Sequence, residues 1–96
     1  MNKNVVELYG KALTKVLEEY GITEVELFTC NCADCVQARQ ALIVSLSRKG
    51  LSDKDIADCT RKMRRCSVCY IRNHYDDGRA PWTVKRCIEK LKEIDV

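Results

Sequence analysis

The chain has 96 residues, the usual size of one domain, so we expect a single folding unit spanning residues 1–96. Its hydrophobic fraction of 46% excludes intrinsic disorder, and its four glycines and one proline disfavour a turn-rich β-sandwich. Because acidic residues interrupt the N-terminal apolar segment and no apolar run approaches the length of a membrane span, we expect a cytoplasmic protein without membrane contact.

Positive charge is concentrated in the second part of the chain, although the net charge is only +3. The first 35 residues contain three lysines and six acidic residues, whereas the remainder contains 14 basic and eight acidic residues. Residues 61–72 contain five basic side chains and no acidic one. Such a run of basic residues is typical of a surface that neutralises the phosphates of duplex DNA. The alternative interpretation is an ordinary charged face exposed to solvent.

Apolar spacing and capping residues predict three helices in the first half of the chain. Apolar residues recur at spacings of three and four over residues 4–20, and Gly21 supplies the stop. Thr23 and Glu26 form the pattern of a capping box, which predicts a short second helix. A third helix is expected over residues 35–49. Its core-facing residues should be Val36, Leu42, Ile43 and Leu46.

Three further helices are predicted in the second half. Ser52, with Asp55 three residues later, caps a fourth helix, and a fifth is expected over residues 65–75. Pro81 suits the first turn of a sixth helix, where Trp82 should plug the core. The expected fold class is therefore all-α, a small compact domain of five to six helices.

Residues 51–75 have the pattern of a helix-turn-helix. The fourth helix buries Leu51 and Ile56 and has the small Ala57 where a second helix would cross closely. After a tight turn, the fifth helix opens with polar residues and buries its later apolar ones. This arrangement directs the N-terminal end of the fifth helix outward, where it could enter a major groove. The alternative is an ordinary helical hairpin.

The helix-turn-helix interpretation divides the predicted DNA contacts into two sets. Contacts to bases are expected from the polar residues that open the fifth helix, namely Arg64, Arg65 and Ser67. Contacts to flanking phosphates are expected from the surrounding basic residues, namely Arg39, Arg61, Lys62 and Arg72. The predicted partner is double-stranded DNA.

The same segment resembles the C-terminal duplex-binding domain of the bacterial replication initiator DnaA, a Trp-repressor-like helix-turn-helix. The family pattern is Ile-Gly-x-x-Phe-Gly-x-Arg-Asp-His-Thr-Thr-Val. Laid without gaps from Ile56, it meets Ile56 and Ala57 at its start, and it ends on Ser67 and Val68, where the family has Thr and Val. The stretch over residues 16–27 also resembles the family's first two helices. The resemblance implies a stand-alone duplex-binding protein that regulates replication or transcription.

The sequence also leaves a second function open. Residues 60–66 depart from the family pattern at the positions that read DNA, so the fold could have become a protein-interaction or adaptor module, sensitive to zinc or redox state. Its partner would be another protein or a second copy of the chain. The initiator's phosphate-binding loop is absent, and the single histidine allows no Ser-His-Asp arrangement, so no enzymatic activity is expected.

The chain contains seven cysteines, of which five form two clusters. An odd number in a cytoplasmic chain argues against a disulfide framework. A zinc ion held by two C-x-x-C pairs would use Cys32, Cys35, Cys66 and Cys69 as its four ligands. The preferred interpretation is a set of reduced thiols without a cofactor, and a zinc site and a redox disulfide are the alternatives.

Overall fold

The structure, a computed structural model, describes residues 3–61, 63–75 and 78–93, which form six α-helices and no β-strand. The helices, in chain order, are α1 (Lys3–Tyr20), α2 (Glu24–Thr29), α3 (Ala33–Arg48), α4 (Asp53–Thr60), α5 (Arg65–His74) and α6 (Trp82–Leu91). The prediction of an all-helical fold with six elements is confirmed.

The local signals that predicted the helix ends are present in the structure. Thr23 accepts a hydrogen bond from the backbone N–H of Glu26, whose side chain accepts one from the N–H of Thr23, so α2 begins with a complete capping box. Ser52 caps α4 by accepting from the N–H of Asp55 at 3.1 Å. Gly21 and Gly50 follow α1 and α3 with φ values of 62° and 100°, which a residue with a Cβ rarely adopts.

Helix α3 lies at the centre of the molecule and contacts each of the other five helices. Residues 41–46 are all buried, so this part of the helix is enclosed on every side. Leu42, Ile43 and Leu46 are fully buried, as predicted. The core around them is aliphatic, and Val16, Leu91 and other apolar residues of the surrounding helices complete it.

Two core predictions were wrong. Val36 is 49% exposed, because only the face of α3 that carries Cys35 and Ala38 is buried before residue 41, and Val36 lies off that face. Trp82 is 68% exposed at the start of α6, and the guanidinium of Arg86 lies 5.3 Å from its ring centre. The α6 face directed to the core carries Val84, Cys87, Ile88 and Leu91 instead.

Helices α4 and α5 pack against each other and are joined by the short segment that was predicted as the turn. Arg61 ends α4 in the left-handed conformation, with a φ of 58°, and its backbone N–H donates to the carbonyl of Ala57. Ile56 on α4 and Val68 on α5 are fully buried. These two side chains hold the pair of helices to the central core.

An ion pair also joins the two helices. The guanidinium of Arg72 on α5 donates two hydrogen bonds of 2.9 Å to the carboxylate of Asp53, the first residue of α4. The paired guanidinium holds the pKa of Asp53 below its usual range. None of the described helices combines the length and hydropathy that crossing a membrane requires.

We expect Ile56→Val to lower the free energy of unfolding by about 0.5–1.5 kcal/mol, because it removes one methylene from a close-packed site. The matched control is Val25→Ala, at a position that is 61% exposed, which should change stability by less than about 0.5 kcal/mol. Urea unfolding followed by circular dichroism measures both. Equal losses in the two variants would contradict the assignment of Ile56 to the core.

We expect Asp53→Asn to destabilise the protein slightly at neutral pH, because it removes the partner of Arg72 and a negative charge at the start of α4. Since the folded-state pKa of Asp53 is lowered, its contribution is present above the unfolded-state pKa and lost as pH falls through the folded-state pKa. The difference in urea midpoint between the variant and the wild type should therefore shrink on acidification. Asp58→Asn, on the exposed side of the same helix, is the control, because it removes an equal charge and leaves the bond between Asp53 and Arg72 in place.

Candidate nucleic-acid interface and cysteine cluster

An open groove of about 650 Å³ runs between α5 and the region where α2 meets α3. Arg39 enters it from α3, and Arg64 and Ser67 enter it from the start of α5. Three residues predicted to contact DNA, from two separate parts of the chain, thus line one surface. The groove has no acidic lining residue in the part of the chain that the structure describes. The remaining lining residues are Phe28, Met63, Cys66, Tyr70 and Ile71.

The start of α5 is exposed and basic. Arg64 occupies the N-cap position with extended backbone angles and makes no side-chain capping bond, and Arg65 is the first residue of the helix. Both side chains are exposed, as is Arg61 in the preceding turn. The N–H groups of a first helical turn lack intrahelical acceptors and carry partial positive charge, so the helix end adds to the positive potential of the arginines.

Two of the residues predicted to contact phosphates, Arg72 and Lys62, are not assigned to the basic surface at the start of α5. Arg72 is exposed, but both of its hydrogen bonds to Asp53 stay within the fold, so its charge is largely neutralised by the carboxylate. Lys62 lies outside the described residues. The structure therefore brings Arg39, Arg64 and Ser67 together in the groove, and it does not place Arg61, Arg65 or Arg72 among the lining residues.

Arg39 links the groove to the loop that contains the first cysteine cluster. Its Nη2 donates to the carbonyl oxygen of Cys30 at 3.0 Å and to Oδ1 of Asn31 at 3.2 Å, and its Nε donates to the carbonyl of Cys35 at 3.4 Å. These bonds use three of the five N–H donors of a guanidinium, so an anion in the groove could be bound by the others. Arg39 thus organises the loop as well as lining the groove.

The cysteine cluster consists of Cys30, Cys32 and Cys35, whose sulfur atoms all lie within 4.8 Å of one another. Cys30 ends α2, Cys32 is the N-cap residue of α3, and Cys35 lies in the first turn of α3. Their exposure differs, because Cys32 is exposed, Cys30 is half-buried and Cys35 is only 1% exposed. Three cysteine sulfurs at these distances could hold a metal ion.

The pKa values of two of these thiols move in opposite directions. The backbone N–H of Cys35 is the largest of the influences that lower the pKa of Cys32, because it favours the thiolate at the start of the helix. The pKa of Cys35 is raised to about 12, first by its hydrogen bond with Cys32 and then by burial. The pair therefore combines an exposed thiol whose pKa is lowered with a buried thiol whose pKa is raised.

The second C-x-x-C pair does not join this cluster. Among the described residues, the group of candidate ligands contains neither Cys66 nor Cys69. Cys66 is exposed and lines the groove. The sulfur of Cys69 accepts hydrogen bonds from Nδ2 of Asn73 at 3.2 Å and from Nη2 of Arg72 at 3.8 Å. Of the four predicted zinc ligands, the structure brings Cys32 and Cys35 together and adds Cys30 to them.

Two features of this region were missed by the sequence analysis. Tyr70 is 63% exposed, lines the groove, and stacks on His74 with ring centres 4.0 Å apart. Its position three residues after Ser67, on the same helix face, is the signal that could have identified it. Cys30 is the other, and the signal for it is the full C-x-C-x-x-C pattern, of which the predicted C-x-x-C pair is only a part.

No family model, curated protein or solved structure matches this chain. The resemblance to the duplex-binding domain of DnaA therefore stays a prediction from the sequence patterns at residues 16–27, 38–40 and 56–68.

Proposed function

We propose that the chain is a double-stranded DNA-binding protein, of the kind that the DnaA resemblance implies, and that it binds through the groove beside α5. The observation that carries the proposal is the composition of this groove. Arg39, Arg64 and Ser67 converge there from separate parts of the chain, and none of its described lining residues is acidic. A phosphate backbone requires such a surface, since neutralising it with arginine and lysine supplies most of the affinity.

The N-terminal end of α5 provides the other half of the interface. Arg64, Arg65 and Ser67 are exposed at the end of a 10-residue helix, where side chains can reach base edges while backbone N–H groups meet phosphates. Arginine pairs with O6 and N7 of guanine through two hydrogen bonds. In this proposal Arg39, Arg61 and Lys62 contact the phosphates on either side, and Arg72 serves mainly to join α4 to α5.

The apolar part of the groove favours a second candidate function, the docking of a protein segment. Phe28, Met63 and Ile71 are partly buried in the core and also line the groove, and the exposed Tyr70 lies beside them. Tyrosine and arginine together are typical of protein interfaces. Dependence on salt distinguishes the two functions, because duplex binding releases counterions and weakens steeply as salt rises.

Fluorescence anisotropy with a labelled random-sequence duplex, at low and at physiological salt, tests the main proposal. We expect binding at low salt, with an affinity that falls linearly on logarithmic axes as the salt concentration increases. The absence of duplex binding at low salt would overturn the proposal in favour of the protein-interaction module.

Arg61→Asn should weaken binding to all duplexes alike and should reduce the salt slope by roughly one unit, since it removes one phosphate contact. Asparagine is chosen because it tolerates the left-handed conformation of this position better than alanine. Arg86→Gln removes an equal charge from α6, away from the turn that precedes α5, and is the control. A control that flattens the salt slope as much as Arg61→Asn would show that net charge, and not the basic surface at the start of α5, determines binding.

Arg65→Ala should cost about 1–3 kcal/mol of binding free energy on the preferred site and relax the preference there, because a base contact is lost. The preferred site is first obtained by selection from a random duplex pool. Affinities for the selected and for a scrambled duplex are then compared in the wild type and the variant. An equal loss on both duplexes would assign Arg65 to the phosphates instead.

A further inference from the structure

The distances between the three clustered sulfurs are close to those around a bound metal ion. Three sulfurs bound to one ion at about 2.3 Å lie roughly 3.8–4.0 Å from one another. The sulfurs of Cys30, Cys32 and Cys35 are already within 4.8 Å of one another, so closing around an ion requires shifts of less than about 1 Å. Side-chain rotation alone supplies movements of this size.

The loop that carries the sulfurs is held in place before any ion binds. The backbone N–H of Cys30 donates to the carbonyl of Glu26 at 3.0 Å, which fixes the end of α2. The N–H of Val36 donates to the carbonyl of Cys32 at 3.0 Å, which fixes the start of α3. Arg39 joins the two ends through its bonds to the carbonyls of Cys30 and Cys35. A site organised in advance loses less conformational entropy on binding its ligand.

The ligand set determines the class of ion. Among the described residues, the group contains three sulfurs and no histidine, aspartate or glutamate. Zinc in structural sites takes four protein ligands, whereas thiolate sulfur favours soft ions such as monovalent copper. Three sulfurs complete the coordination of a monovalent copper ion. From this we infer that Cys30, Cys32 and Cys35 form a three-thiolate site for a soft metal ion, monovalent copper, independently of whether the protein binds DNA.

The position of the cluster allows the ion to enter and leave. Cys32 is exposed and Cys30 is half-buried, so two of the three sulfurs can be reached from solvent, while the buried Cys35 anchors the site in α3. On binding, the thiols release their protons to solvent. The guanidinium of Arg39, bonded to the same loop, offsets part of the negative charge of the loaded site.

Anaerobic titration of the reduced, metal-free protein with Cu(I), in competition with the chromophoric chelator bathocuproine disulfonate, tests the inference. The wild type should retain one Cu(I) per chain. Loss of an outer-shell partner lowers the affinity of a metal site by roughly 10- to 100-fold. Cys30→Ser removes a direct ligand, so it should lower the affinity for Cu(I) by at least this factor. The double variant Cys30→Ser/Cys32→Ser, which leaves only one of the three sulfurs of the cluster, should not compete with the chelator. Circular dichroism verifies that both variants keep the helical fold.

Cys66→Ser is the matched control, because Cys66 is exposed and lies outside the cluster. It should bind Cu(I) as the wild type does. Retention of wild-type affinity by the double variant would overturn the inference. The inference would also be overturned if the protein bound Zn(II) stoichiometrically, did not bind Cu(I), and required Cys66 or Cys69 for zinc binding. That result would indicate a site built from both cysteine pairs.

Discussion

The enclosure of α3 is the constraint on which the rest of the structure depends. A helix that is buried on every side over residues 41–46 can exist only if other helices cover it from all directions, and α1, α2, α4, α5 and α6 do so. Even the hydroxyl of Ser45 is buried there, without a hydrogen-bond partner among the described residues. Each surrounding helix is amphipathic or short and packs against α3, so the fold assembles around one element.

The two ends of α3 have different roles because only its later part is enclosed. Its first turns lie beside the groove and the cysteine loop, and they carry Cys35 and Arg39 at positions four residues apart, on the same helix face. The rigid core therefore fixes the backbone of both proposed sites without covering them. Functional groups on a helix held in this way are positioned more precisely than groups on a free loop.

The sequence predicted the helices well and the buried faces less completely, for a physical reason. Helix ends depend on local chemistry, such as the capping box of Thr23 and Glu26 or the left-handed Gly50, and local chemistry is visible in the sequence. Burial depends on which helices meet. Val36 fits the apolar spacing of α3 but precedes its enclosed segment, and Trp82 begins α6 where no helix covers it. The groove likewise arises from long-range packing and could not be assembled from spacing alone, whereas the cluster of three sulfurs follows the local C-x-C-x-x-C pattern.

Arg39 belongs to two surfaces at once, since its guanidinium is bonded to the cysteine loop and lines the groove. A ligand that changes the geometry of the loop must alter the position or the charge balance of this guanidinium, and a ligand in the groove must do the same from the other side. Any resulting coupling free energy is reciprocal, so each ligand would change the affinity of the other by the same factor. Binding at the cysteine loop and binding in the groove can thus be linked through the side chain of Arg39 alone, without a rearrangement of the helical core.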